Sequence, residues 1–433
     1  MNSWRKNLYS IWIAQFIAMV GMSMVIPFLP FYVRELGITD HKEVEMWSAL
    51  TFAGPFIMAF IMTPIWGSLS DKYGKKAMVL RAIFGLALSQ LLIGLSANVF
   101  QLLVFRMFQG FVSGFIAASL ALVSATTPKE KSGYAIGVLQ TSISAGTIIG
   151  PVLGGLLSDV TTYSMVFMIT ASICLISGVL VMFIVKEPPV EKKEKNFTVA
   201  ENYRYVFNNK KILIAMLSVT VVQISVFMAQ PIFALFVESF EVNTEYLATV
   251  AGTLFGVTGV FTVISSPWWG KRNDTSGFRI NLLIAMLGAA IAFILHSFIY
   301  NIILLYPVRA FLGFCIGGIV PVFYSYIAKN TSEDRKGGIM GIASSFTLLG
   351  NLFGPLICIM LVYNFSNRYV FLFSGIVMLI NTFIVFNNMK EGPAKRINPD
   401  YYDGEDRISK STKVKLSFKK RNLFGRRSFN QAH

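Results

Sequence analysis

About twelve apolar runs of roughly 20 residues follow one another along this chain, each the length a helix needs to cross about 30 Å of hydrocarbon. A bilayer core offers no water to exposed N–H and C=O groups, so a spanning segment must be a helix or a strand of a closed barrel. Barrel strands alternate apolar and polar residues over about ten positions, and these runs do not. The pattern predicts an all-α membrane protein with spans near 8–32, 46–66, 77–97, 100–123, 134–157, 163–185, 212–237, 246–269, 281–299, 302–328, 337–363 and 367–387. Composition agrees, since 54% of the 433 residues are hydrophobic and only 14% are charged.

Arg5 and Lys6 lead into a first run too long for a cleaved signal, so it reads as span 1. Only Arg34, Lys42 and Arg368 lie in loops on the far side from the N-terminus, and only Arg81, Arg106 and Arg309 lie within spans; all other Lys and Arg residues share the side of the N-terminus. Such a bias marks cytoplasmic segments, so a multi-pass protein of the cell inner membrane is expected, with both termini in the cytoplasm. The net charge of +16 is then mostly topology and does not point to nucleic acid. Cys174, Cys315 and Cys358 fall inside spans without metal-ligand or C-x-x-C spacing and read as packing residues. With no nucleophile constellation and no G-x-x-x-x-G-K-[ST] loop, no enzyme activity, metal or cofactor is expected.

The chain is written twice, at an offset of 203 or 204 residues. Gly67, Asp71 and Gly74 recur as Gly270, Asp274 and Gly277; Arg106 recurs as Arg309; Gly137, Gly146, Gly150 and Pro151 recur as Gly341, Gly350, Gly354 and Pro355; Pro27 recurs as Pro231. Two six-helix bundles are expected, at 1–185 and 212–390, joined by a charged linker at 186–211 and followed by a basic tail at 391–433. Repeated halves suggest a transporter whose substrate site lies near the midplane where they meet.

Four motifs sharpen this. GSLSDKYGKK lies between spans 2 and 3, LLVFRMFQG contains Arg106, GMSMVIPFLP lies in span 1, and GVLQTSISAGTIIGPVLGG makes up much of span 5. Together they resemble the 12-helix drug:proton antiporter branch of the major facilitator superfamily, over nearly all of residues 1–390. The resemblance implies a fold of two six-helix repeats and alternating access. It implies a gate latch at Gly67, Asp71, Lys72, Gly74 and Lys75, and a part for Arg106 in proton coupling. It also implies an antiporter helix carrying Gly137, Gly146, Gly150, Pro151, Gly154 and Gly155. The second latch copy, GKRNDTSG, lacks a basic residue directly after its aspartate.

In the loop, Gly67 and Gly74 suit a chain that must reverse within a few residues. In span 5, Gly146, Gly150 and Gly154 form a bare stripe against which another helix can pack. Gly137 sits about 180° away and must serve another contact, and Pro151 leaves the Thr147 carbonyl without its donor, which predicts a bend. Charges inside spans are expensive, so Arg106 and Arg309 are functional candidates unless they snorkel; Arg81, one turn past the inner loop, is expected to snorkel. No acid falls near a span centre, which leaves Glu35 and Glu238, at the ends of spans 1 and 7, as carboxylates for proton coupling, with His296 behind them. Met24, Phe28 and Phe31 with Gln223, Gln230 and Phe233 supply soft, aromatic and amide groups suited to a cavity for lipophilic molecules, and Tyr324 and Asn351 add polar groups. The expected partners are a small-molecule substrate, protons and the lipid bilayer, for a chain working as a monomer. Three readings remain open: export of amphipathic drugs in exchange for protons, movement of one metabolite such as a siderophore, and a membrane sensor that carries nothing.

Overall fold

The computed structural model describes residues 3–128, 131–187, 198–240, 246–332 and 335–389. The basic tail and the first part of the linker lie outside the described residues. The chain is helical in elements that follow the twelve expected spans. Span 1 is α1 (Ser3–Ser23) with α2 (Leu29–Glu35), span 2 is α3 (His41–Tyr73), and span 3 is α4 (Lys75–Gly94). Span 4 is α5 (Val99–Phe111) with α6 (Phe115–Thr126), span 5 is α7 (Ser132–Val160), and span 6 is α8 (Tyr163–Ile184). After a linker helix, α9 (Val199–Asn208), span 7 is α10 (Lys210–Met228) with α11 (Phe233–Glu238), and span 8 is α12 (Leu247–Ser276). Span 9 is α13 (Phe278–Phe298), span 10 is α14 (Ile302–Ile316) with α15 (Val320–Lys329), span 11 is α16 (Lys336–Asn364), and span 12 is α17 (Asn367–Asn388).

Side-chain caps start these helices where the sequence turns polar. Asp40 accepts from the Glu43 amide, Asn98 from Gln101, Thr162 from Met165 and Asn301 from Ile303. The repeat shows in where the spans break. Spans 1 and 7 are interrupted around Pro27 and Pro231, and span 4 breaks before Gly114, at φ +105°. Span 10 breaks at 317–319.

The segment between spans 2 and 3 departs from expectation. α3 continues as helix through Tyr73, so Gly67 lies inside it and the reversal is made at Gly74 alone, with φ +95°. Gly277 does the same in the second half at φ +88°. A left-handed residue closes one helix and opens the next, which needs no loop. The linker also holds more structure than its charge suggested. Thr198 and Glu201 form a capping box at the start of α9. The Thr198 backbone N–H, donating to Glu201, holds that carboxyl below its ordinary range. α9 buries Asn202 and Val206 and packs on α16 and α10.

Within each half the same pairs meet: α1 with α7 and α10 with α16, α3 with α5 and α12 with α14. Amide side chains bridge the helices inside them. Gln90 donates to the Gly21 carbonyl at 2.7 Å, and Asn381 donates to that of Ser218 at 2.9 Å. The two halves touch along α7 against α12 and α3 against α16. Large apolar residues such as Phe183, Ile303 and Phe383 cover the outside, as a lipid-facing surface requires.

Candidate functional site

A cavity of about 330 Å³ lies between the halves. Its walls are Ser144, Thr147, Ile148 and Pro151 on α7, Phe255, Thr258, Gly259 and Thr262 on α12, Gln230 and Phe233 from span 7, and Arg309 and Leu312 on α14. Arg309 is the charged residue among those lining it. Its guanidinium lies 3.5 Å from the centre of the Phe233 ring and 4.9 Å from that of Phe255. It is 6% exposed, and neither Nε nor Nη2 has a hydrogen-bond partner.

Away from the termini the cavity is closed. Cβ atoms at Gly252 and Gly155 would strike the Pro151 and Ala248 carbonyls, so α7 and α12 pack backbone to backbone there. Asp159 accepts from the Thr249 amide at 2.8 Å, capping α12 across the interface. Lys42 donates to the Tyr363 carbonyl at 3.1 Å. Arg34 and Glu238 form a bidentate pair at 2.6 and 2.8 Å. Toward the termini the same two helices part: Gly137 on α7 and Gly270 on α12 have open space where a Cβ would lie, and Val263, on the cavity wall, is exposed.

Arg106 neither snorkels nor reaches this cavity. Its Nε donates to the Thr51 carbonyl at 3.1 Å and its Nη1 to Gln109 Oε1 at 2.7 Å, all buried. Arg81 also stays inside, with Nη2 donating to the Ser113 carbonyl and the guanidinium 3.6 Å from the Trp66 ring centre.

Of the expected cavity residues, Gln230 and Phe233 line it. Met24, Phe28 and Phe31 do not. Residues 24–28 form turns between α1 and α2, which directs Met24 and Phe28 into the first half and leaves Ile26 facing the cavity, while Phe31 is buried on α2 with the Arg34 guanidinium 5.9 Å from its ring centre. Met24 Sδ there accepts from Thr170, while Phe28 stacks on Tyr163 and meets Phe167 edge-on. Gln223 and Asn351 pair with each other at 3.0 Å between α10 and α16, and the Tyr324 hydroxyl is 2.9 Å from that of Thr347.

The glycine stripe lies against α1. A Cβ at Gly146 would come within 3.0 Å of the Phe16 carbonyl, one at Gly150 would meet Ser23 Oγ, and one at Gly154 would strike the Met24 carbonyl. Gly155 turns to the other half, and Gly137, for which another contact was expected, meets nothing within 4 Å. Glu35 is exposed on α2, and Glu238 is held by Arg34. The side chains of Gly67, Asp71 and Lys72 lie outside the described residues. Beside them sits a group the motif reading passed over: Glu187, whose carboxylate accepts from the amides of Lys75 at 2.8 Å and Lys76 at 2.9 Å. It tethers the end of span 6 to the positive end of α4. Arg34 was counted only as a loop charge; that it stands 204 residues from Glu238, the repeat offset, was the available signal.

Two six-helix repeats closed at one end around a central cavity define a membrane transporter of the alternating-access kind. The family model of the Major Facilitator Superfamily matches residues 11–248 and again 242–428, and the chain belongs to that family. The multidrug resistance protein MdtG of Citrobacter koseri is 34% identical over 390 residues, covering 90% of this chain and 96% of that protein. Its Escherichia coli counterpart is 33% identical, covering 90% and 95%. A mutant of the nucleoside transporter NupG shares the fold at TM-score 0.76 and 13% identity, over 89% of this chain and all of that one. An inward-facing bacterial homologue of the human lysosomal transporter Spinster does so at TM-score 0.73 and 13% identity, over 91% of this chain and all of that one.

Proposed function

We propose that this chain exports amphipathic small molecules, drugs among them, from the cytoplasm in exchange for protons. The observation that carries the reading is the cavity between the halves, closed at one end by the Arg34–Glu238 pair and open toward the termini. The names and coverage of the MdtG relatives support drugs as cargo. The Lys and Arg distribution supports cytoplasmic termini in the inner membrane, which makes the described state inward-open. In the outward-open state, Asp71 and the basic residues around it latch the cytoplasmic end, as the motif resemblance implies. One copy suffices, since the cavity is complete within one chain.

Everted membrane vesicles test this. With a proton gradient, vesicles containing the protein should accumulate a lipophilic dye that control vesicles leave outside, and a protonophore should release it. Equal accumulation with and without the protein would overturn the reading.

A further inference from the structure

Among the described residues the cavity is lined by a single charged group, and that charge has no counter-ion. Arg309 is 94% buried by its 6% exposure, on the cavity wall, with Nε and Nη2 unpartnered. A guanidinium keeps its charge and carries five donors in a planar fork. Burying it unpaired is costly, and stacking on Phe233 and Phe255 returns only part of that cost. No carboxylate is among the residues that line the cavity.

The repeat shows that this is a property of the second half and not of the fold. Arg106 occupies the matching position and is satisfied, with Gln109 three residues on as one acceptor. At the same distance from Arg309 the chain has Leu312. The Thr51 carbonyl is free within α3 because Pro55, four residues on, has no N–H; at the matching place stands Thr258, whose Oγ1 donates to the Leu254 carbonyl at 3.1 Å. One acceptor side chain and one free carbonyl that serve the first arginine are thus missing around the second, which lies buried on the cavity wall against two aromatic rings.

We infer that Arg309 is the head-group site for amphipathic anions: an acid such as a carboxylate, sulfonate or phosphonate engages its fork, and an aromatic or aliphatic body lies against Phe233, Phe255 and Ile148. The planar donors fit two oxygens of such a head. The hydroxyls of Thr147, Thr258 and Thr262 stand on the same walls; each donates to a helix carbonyl and keeps a lone pair to accept from a donor on the body. The inference rests on the proposed export only for where the ligand is taken, not for whether it binds.

Three naphthalene probes of one shape and different charge separate the possibilities: a carboxylate, its amide and a methylammonium. Binding to the purified full chain in detergent is measured by titration calorimetry, and transport is measured in vesicles. The carboxylate should bind about tenfold or more tighter than the amide, as a charge-assisted hydrogen bond predicts. Arg309→Gln should bring it down to the level of the amide while amide binding stays the same, and Arg309→Lys should keep part of the preference. Equal affinity for all three probes, tightest binding of the cation, no binding of any, or an equal loss of all three in Arg309→Gln would overturn the inference. Selective carboxylate binding without transport of any probe would instead sink the export reading and leave the anion site standing.

Discussion

In the first half Arg106 donates to the Thr51 carbonyl and to Gln109, whereas in the second half Arg309, at the same place in the repeat, sits over two phenylalanine rings with donors to spare. The helices around the two arginines are arranged alike: each lies in a broken span that packs on the long helix two spans earlier, α5 on α3 and α14 on α12. What differs is a handful of side chains. Duplication thus supplied two copies of an expensive buried charge, and substitution around it left one as a structural strut and the other as a buried, unpartnered group on the cavity wall. The scaffold is shared and the chemistry is local.

The largest effects are expected where the halves agree. A Cβ at Gly150 would meet Ser23 Oγ and lie 2.9 Å from the Val20 carbonyl; one at Gly354 would lie 2.9 Å from both the Ile224 carbonyl and the Met228 amide. Leucine at either position must push α7 from α1 or α16 from α10, so Gly150→Leu and Gly354→Leu should both abolish transport while the protein still inserts. Gly137→Leu, on the same helix as Gly150 but with open space beside it in this state, is the control for the described conformation. Near-normal efflux by Gly150→Leu would show that the close approach is dispensable.

Next come the arginines themselves, where the halves should part. Arg106→Leu strands the Thr51 carbonyl and the Gln109 side chain in a buried site and should cost about 2 kcal/mol of stability. Arg309→Leu strands no partner and removes an uncompensated charge, so it should change stability by less than about 1 kcal/mol, or raise it. Denaturation in detergent compares the two directly, and equal losses would erase the distinction. Leu312→Gln is finer. It offers Arg309 the acceptor that Gln109 gives Arg106, and should weaken binding of an anionic probe about tenfold by competing for the guanidinium. An unchanged affinity would mean that the fork is not what holds the anion.

Much of this architecture was legible in the sequence because it depends on patterns. Span length reports the bilayer, Lys and Arg placement reports topology, and recurrence of Gly67, Asp71, Gly74, Arg106 and Pro151 reports duplication. The packing of Gly146, Gly150 and Gly154 could be read from their spacing by four. Side-chain direction could not be read where the helix stops: turns at 24–28 swing Met24 and Phe28 into the first half, and no periodicity survives such a break. Pairings across the chain were equally hidden. Glu187 looked like one charge of a polar linker until the fold brought it to the Lys75 and Lys76 amides. Arg309 was visible as a membrane charge, but its isolation follows from Leu312 at the place of Gln109 and Thr258 at the place of Pro55, and only a residue-by-residue comparison of the halves would have exposed it.

The smallest effect expected is at the closed end, and it concerns the same repeat. Arg34 and Glu238 are related by the offset of 204 residues, so the pseudo-twofold relation places opposite charges on one position and lets them pair across the seam. Identical charges there would repel, which is why this position cannot stay the same in both copies if it is to close the gate. The side chains are 33% and 31% exposed, so the pair is worth at most about 1 kcal/mol. Arg34→Gln should therefore shift the balance between the two states only about fivefold at most, and Arg34→Glu somewhat more through repulsion from Glu238, read as faster labelling of a cysteine placed at Gln230 by an impermeant maleimide from the side opposite the termini. Adding Glu238→Arg restores the pair with its polarity reversed and should return the labelling rate to that of the parent. If the double swap labels as fast as the single one, the pair is a bystander and closure rests on the α7–α12 backbone packing with the Asp159–Thr249 and Lys42–Tyr363 contacts.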